Sequence, residues 1–281
     1  MGSIIWLASY PKSGSTWVRA FVANLTADQA DPLWPDQIRG YSDFEAQAER
    51  FSEFAGRPST SLTPIEIASL RLQVQAVIAR QAKGIRMVMT HNFCGSFEGF
   101  PLINWEVTAG AVYVVRNPLD VTVSMTHHFD LTLDEAITLL GDERVASAND
   151  QLFVNNFIGS WSTHAQSWAD ALPHAPEKIL VLRYEDLLKS PVKYFGKIAE
   201  MIGLGQDQRR IERAVRHTSF GTLSELERQH GFVEAVDEKK RFFFKGRANQ
   251  WLEALSHQQV QRVVRDHRRQ MLRFGYLPDG Y

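Results

Sequence analysis

Ile4-Ile5-Trp6-Leu7-Ala8-Ser9-Tyr10-Pro11-Lys12-Ser13-Gly14-Ser15-Thr16-Trp17-Val18 is the stretch that decides the fold. Ile4, Ile5, Trp6 and Leu7 form a short apolar run, the pattern of a buried strand. Pro11 and Gly14 break the chain. From Thr16 onward Trp17, Val18, Phe21, Val22 and Leu25 recur at helical spacing. Strand, tight loop and helix together aim free backbone N–H groups and a positive helix end at an anion. Lys12 adds a full charge, and Ser13, Ser15 and Thr16 add hydroxyls. Two readings fit these residues: a phosphate cradle, or a plain turn with a Ser/Thr helix cap.

Outward from this stretch, apolar strand runs alternate with helical ones. Residues 85–90 and 109–115 read as strands, as does Ile179-Leu180-Val181-Leu182 within 178–183. Helices are expected over 43–55, 63–82, 132–140, 161–172, 191–202, 206–216 and 257–274, and another after Asn117-Pro118. Thr63, Pro64 and Glu66 make a clear start for the second of these. The alternation predicts an α/β fold with a mostly parallel central sheet flanked by helices and a P-loop-like first loop. Residues 141–159 are polar and poorly patterned, so they read as mobile. Residues 225–240 are charged with little periodicity and read as exposed loop, with a mobile lid over 229–244.

The chain has 281 residues, 44% hydrophobic and 22% charged, and a net charge of −1. One domain spanning 1–281 is the simplest division. Near-zero charge gives no general attraction to nucleic acid or to an anionic membrane. Cys94 is the single cysteine, so neither an internal disulfide nor a Cys-based zinc site is expected. No leader pattern or membrane-spanning apolar run is visible, which suggests a cytoplasmic protein.

Two further positions carry chemistry. His91 directly follows a strand, at the sheet edge where open α/β folds place ligands. Arg116 ends the next strand, and Ser124 lies two turns into the following helix. A P-loop kinase would place Lys directly after the last Gly and an acid at the end of that strand. Here Lys12 precedes Gly14, and Arg116 would repel a metal ion. The pattern suits a ligand with two separated anionic groups and no obligatory metal.

These segments resemble the cytosolic-type sulfotransferases, which use 3′-phosphoadenosine 5′-phosphosulfate (PAPS) and release its desulfated product, PAP. Residues 10–17 resemble that family's phosphosulfate loop, and 115–124 its 3′-phosphate motif. Thr90-His91 resembles its catalytic pair. Residues 183–187 and His217-Thr218-Ser219-Phe220 resemble its adenine-side segments. Lys245-Gly246 and Trp251 resemble its C-terminal phosphate loop. The resemblance implies that Lys12, Ser13, Gly14, Ser15 and Thr16 hold the phosphosulfate end, with Lys12 and Ser124 also catalytic. It implies that Trp17 and Phe220 flank adenine, helped by Tyr184 and Thr218. It further implies that Arg116, Ser124, Lys245, Gly246 and Arg247 take the 3′-phosphate, and that His91 is the general base.

The chain departs from the family pattern at Met89, where the family often has Lys. It also departs at Phe244, in place of an Arg, so that either Arg247 substitutes or the 3′-phosphate is held less tightly, and at Asn249-Gln250. No match to the dimer motif of animal members is present, so the oligomeric state stays open. Phe93, Phe97, Phe100, Trp105, His127, His128 and Phe129 are candidate walls for a small aromatic or lipophilic acceptor. His127 and His128 as a metal pair is disfavoured, because adjacent helix residues point apart. The alternatives are a nucleotide or small-molecule kinase and a non-catalytic nucleotide-binding module.

Overall fold

A computed structural model describes residues 2–171, 178–234 and 241–281. In chain order the elements are β1 (Ser3–Ser9), α1 (Ser15–Ala27), β2 (Asp43–Phe44), α2 (Ala48–Ala55), α3 (Pro64–Gln81) and β3 (Ile85–Thr90). A two-stranded hairpin, β4 (Ser96–Phe97) and β5 (Phe100–Pro101), follows. Next come β6 (Thr108–Val115), α4 (Pro118–Phe129), α5 (Leu133–Gly141), α6 (Trp161–Ala171), β7 (Ile179–Arg183), α7 (Tyr184–Lys189) and α8 (Pro191–Met201). The chain ends with α9 (Gln208–His217), α10 (Phe220–His230), α11 (Trp251–Ala254) and α12 (His257–Phe274).

The main sheet has the order β2-β3-β1-β6-β7, and every neighbouring pair is parallel. Alternation along β1 feeds two cores. Ile4, Trp6 and Ala8 face the layer built with α3, α5, α6 and α12, while Ile5 and Leu7 face the layer built with α1, α8 and α9. Burial on both faces explains why these strands read as continuous apolar runs. The register pairs Ala8 with Thr90, Ser9 with Val114, and Val115 with Arg183. The carboxyl ends of four strands therefore finish side by side. Tyr10, His91, Arg116 and Tyr184 are each the first residue beyond such an end.

Two expectations need correction. The helix expected over 43–55 is a short edge strand followed by a shorter helix, α2. Asp43 and Phe44 instead pair with Val88 and Met89 of β3. Residues 225–230 are helix rather than loop, because they belong to α10. Only Leu223 and Glu227 of that helix are buried, so its inward stripe is one apolar residue wide and leaves little periodicity. The rest of the expected lid is described at 231–234 and 241–244, and 235–240 lie outside the described residues. The end of the helix expected over 161–172 also falls outside them, at 172.

Candidate active site

A cleft of about 1060 Å3 opens along the carboxyl edge of the sheet. One end is lined by Lys12, Gly14, Ser15, Thr16, Trp17 and Arg116, with Ser124, Tyr184, Phe220, Lys245 and Gly246. His91 and Met89 stand in its floor. The other end is walled by Phe44, Met125, Phe153, Asn156 and Phe242, among others.

The first loop is held in conformations that local preference alone does not supply. Lys12 has φ 68°, an uncommon value for a residue with a side chain. Gly14 has φ 105°, and a Cβ there would meet the Tyr184 ring at 2.7 Å. Glycine is thus required twice over, for the turn and for the ring beside it. Gly14 is the N-cap of α1, and no side chain caps the helix. The capped-turn reading of the sequence therefore fails. The amide donors at the start of α1 are left for a ligand. Ser13 is fully buried and its hydroxyl lacks a protein partner, so it does not line the cleft.

Arg116 is only 6% exposed. One guanidinium nitrogen donates to the Lys12 carbonyl at 2.9 Å, and another reaches the Arg247 carbonyl at 3.5 Å. The planar group lies over the Tyr184 ring, 4.5 Å from its centre. Its Nε has no hydrogen-bond partner. Among the described residues no carboxylate pairs with it. A buried guanidinium without an anion is costly, so the arrangement is that of a site whose counter-ion comes from outside. Lys12 points the same way. Its Nζ lies 4.5 Å from the centre of the Phe242 ring, and burial, with Arg116 adding, lowers its pKa to about 7.

Residues 245–251 stand over this end. Asp120, fully buried in the first turn of α4, accepts the N–H of Asn249 at 2.7 Å and of Trp251 at 3.1 Å. That contact holds the Lys245–Gly246 turn over the cleft. Gly246 has φ 58°, and a Cβ there would collide with Phe220 at 2.0 Å. The expectation for Arg247 is corrected: its side chain turns away to Glu253, at 2.6 Å, and only its carbonyl faces Arg116. Thr218 is likewise buried off the cleft, where its carbonyl accepts the Trp17 indole N–H at 2.7 Å. Trp17 is also gripped edge-on by Tyr184 and Phe195. Thr218 thus orients the tryptophan rather than facing a ligand.

His91 donates its Nδ1–H to the Ser9 carbonyl at 2.7 Å. That bond fixes the tautomer and leaves Nε2 as the nitrogen with the lone pair. Burial lowers the pKa of His91, so the ring is neutral near pH 7. The result is a preset proton acceptor in the floor of the cleft. Its main chain is held from two sides. The His91 N–H donates to Asn156 at 3.3 Å, and the His164 Nε2–H donates to the His91 carbonyl at 3.2 Å.

The acceptor-side candidates divide. His127, His128 and Phe129 line the cleft. His127 stacks on Phe244 and donates to the Arg241 carbonyl at 3.0 Å, while His128 meets Phe242 edge-on. Burial, then Lys12, lowers the His128 pKa to about 4. Phe93 and Phe97 are placed elsewhere. Phe97 stacks on Phe157, and both candidates pack on the Ala68–Leu102–Phe157 cluster outside the cleft. The turn after His91 folds back, with Phe93 against Gly95, and carries them away. Phe100 and Trp105 are exposed and also lie off the cleft. Sequence reading missed Glu234, whose carboxylate lines the cleft and bonds Arg19 at 2.6 Å. It also missed Glu227, which accepts the N–H groups of Phe242 and Phe243 at 2.5 and 3.0 Å. Both lie in a charged stretch with no local pattern to mark them.

The chain matches the family described as "Sulfotransferase domain" over residues 3–275. It is similar to mouse sulfotransferase 1B1, 26% identical across 89% of this chain and 76% of the relative. It is also similar to cytosolic sulfotransferase 13 of Arabidopsis thaliana, 27% identical across 90% and 72%. Among solved structures it resembles mouse SULT7A1 complexed with PAP, with TM-score 0.63 and 20% identity over 96% of this chain and 84% of that one. A retinol dehydratase in complex with androsterone and PAP gives 0.64 and 18%, over 95% and 80%.

Proposed function

The chain belongs to the sulfotransferase domain family, and from that premise we propose that it moves a sulfuryl group from PAPS to a hydroxyl of a small aromatic or lipophilic acceptor. The observation that carries this reading is one cleft holding both a buried Arg116 that has no carboxylate partner among the described residues and a His91 whose Nδ1 is engaged, leaving Nε2 with the lone pair. The residues fit a doubly anionic donor. Arg116, Ser124, Lys245 and Gly246 would hold the 3′-phosphate. Lys12 and the start of α1, from Gly14 to Thr16, would hold the phosphosulfate end. Trp17 and Phe220 would flank the base, with Tyr184 beneath Arg116.

When bound, the donor supplies an activated sulfuryl group. The protein positions it and handles the charge. Lys12 neutralises the 5′-phosphate as its bond to sulfur breaks. His91 Nε2 takes the acceptor's hydroxyl proton as the new oxygen–sulfur bond forms. Apolar walls at Phe44, Met125 and Phe153 favour a flat or lipophilic acceptor, and His127 and Phe129 stand at its edge. The relatives include a flavonol 4′-sulfotransferase of Flaveria chlorifolia, which supports a small acceptor. A cytosolic setting is supported by the Arabidopsis relative's name. Among the described residues, no helix is long and apolar enough to cross a membrane. We take the whole chain, 1–281, as one catalytic domain, with the described residues 231–234 and 241–244 as part of its cover.

Calorimetric titration of PAP and of ADP, each with and without magnesium, tests the reading. PAP should bind without metal and more tightly than ADP; metal-dependent preference for ADP would sink it. His91→Ala should keep PAP affinity and lose roughly 10²–10⁴-fold in kcat with any accepted hydroxyl compound.

A further inference from the structure

Behind His91, away from the cleft, lies a buried polar network that the reaction itself does not touch. Glu45 and Arg71 are both fully buried and form an ion pair. The same Glu45 oxygen accepts the side-chain N–H of Asn92 and, at 3.3 Å, the Thr90 hydroxyl. Thr90 in turn accepts the Asn92 N–H at 3.1 Å. Both chain neighbours of His91 are thus tied to one carboxylate. Asn92 is fixed from two further directions. Its side-chain oxygen accepts the Phe157 N–H at 2.8 Å, and its carbonyl accepts the Trp168 indole at 3.0 Å. Arg71 also donates to the Asn155 carbonyl, next to the Asn156 that holds the His91 amide.

This pair is poorly explained by stability alone. Glu45 Oε2 and Arg71 Nε are buried without partners. A buried ion pair that is incompletely hydrogen-bonded is often no better than an apolar pair of the same volume. What it does accomplish is geometric: it ties β2, α3, the turn after β3 and residues 155–157 to one point, with His91 at the centre.

We propose that Glu45 and Arg71 are positioning residues for His91, holding the Thr90–Asn92 turn so that Nε2 faces the cleft. The proposal rests on His91 acting as the base. The two are separable, because His91→Ala tests the base and the following variants test only its placement.

The decisive variant is the double substitution Glu45→Leu with Arg71→Met, which removes both charges and nearly preserves volume. The expected result is a folded protein with unchanged PAP affinity. Its kcat should fall at least tenfold, with a displaced acid limb in the pH profile of kcat and a shifted ¹⁵N resonance for the His91 ring. An unchanged kcat and pH profile in the folded double variant overturns the proposal. So does a fall in kcat matched by an equal loss of PAP affinity, which would mark general damage. Should the double variant not fold, Glu45→Gln keeps an acceptor oxygen at the same place and removes only the charge. It is expected to show the same displaced acid limb and a smaller fall in kcat. Wild-type values for both in that variant would equally overturn the proposal.

Discussion

Arg71 and Arg116 are both buried arginines within reach of the same sheet edge, and they are used in opposite ways. Arg71 has its counter-ion inside the protein, at Glu45. Arg116 has none among the described residues, and its nearest polar contacts are two backbone carbonyls. The first arginine is part of the fold's own structure; the second is half of an interaction whose other half is a ligand. Arg19 stands between these cases. Its side chain is almost fully buried, yet its partner Glu234 is on the cleft wall. Burial alone therefore says little about an arginine's role, and the position of the anion decides it.

Single substitutions should separate the two arginines most sharply. Arg71→Met leaves the Glu45 carboxylate buried and uncompensated, an expected loss of about 3–5 kcal/mol in stability. For a chain of this size that lowers Tm by roughly 5–8 °C. Arg116→Met removes an unpaired buried charge, so the Tm of the free protein should stay level or rise. PAP affinity should instead fall about 100-fold, the value of one or two charge-assisted hydrogen bonds. Thermal denaturation with and without PAP reads both effects in one experiment. Equal Tm losses in the two variants would erase the distinction.

The contrast also explains what the sequence could and could not show. His91, Arg116 and Tyr184 were legible because each directly follows a strand end, and Lys12 because it sits in the loop between β1 and α1; parallel register brings these strand ends together. Asp120 lies within the 115–124 motif, but its task of holding the loop at 249–251 needs the folded chain. The acceptor end was much less legible. Beside Phe44 and Met125, its walls come from 145–158, 233–234 and 242–244, where no period marks an inward face. Phe93 and Phe97 misled because aromatic residues after the histidine suggest a pocket wall, whereas the turn at Gly95 sends them to the opposite side. Glu45 and Arg71 lie 26 positions apart, and nothing local signals that they meet.

A second test concerns the charge that the donor end lacks. Lys12 has a pKa lowered to about 7, chiefly by burial and then by Arg116. The sign follows from which form binds. The free protein loses the Lys12 proton as pH rises through about 7, and an anionic donor prefers the protonated form. Donor binding should therefore be accompanied by proton uptake near pH 7. The value of kcat/KM for the donor should fall about tenfold for each unit above that pH, while kcat at saturating donor stays flatter. Lys12→Arg should remove this basic limb, because guanidinium does not titrate there. A basic limb that persists in Lys12→Arg would assign it to another group.

The smallest expected effect comes from Phe242, whose ring covers the Lys12 ammonium at 4.5 Å. The ring acts on the lysine in two opposing ways. Its face attracts the cation by about 0.5–1 kcal/mol, which favours the charged form. Its bulk keeps water out, which disfavours that form, and burial is the largest influence on this lysine. The second effect should win. Phe242→Ala should then raise the Lys12 pKa toward its ordinary range and move the basic limb of kcat/KM upward by on the order of one pH unit. A downward movement would mean that the ring stabilises the ammonium more than it dries it. In that case the low pKa would belong to Arg116, and the buried cation without a partner would be acting on its neighbour as well as on the ligand.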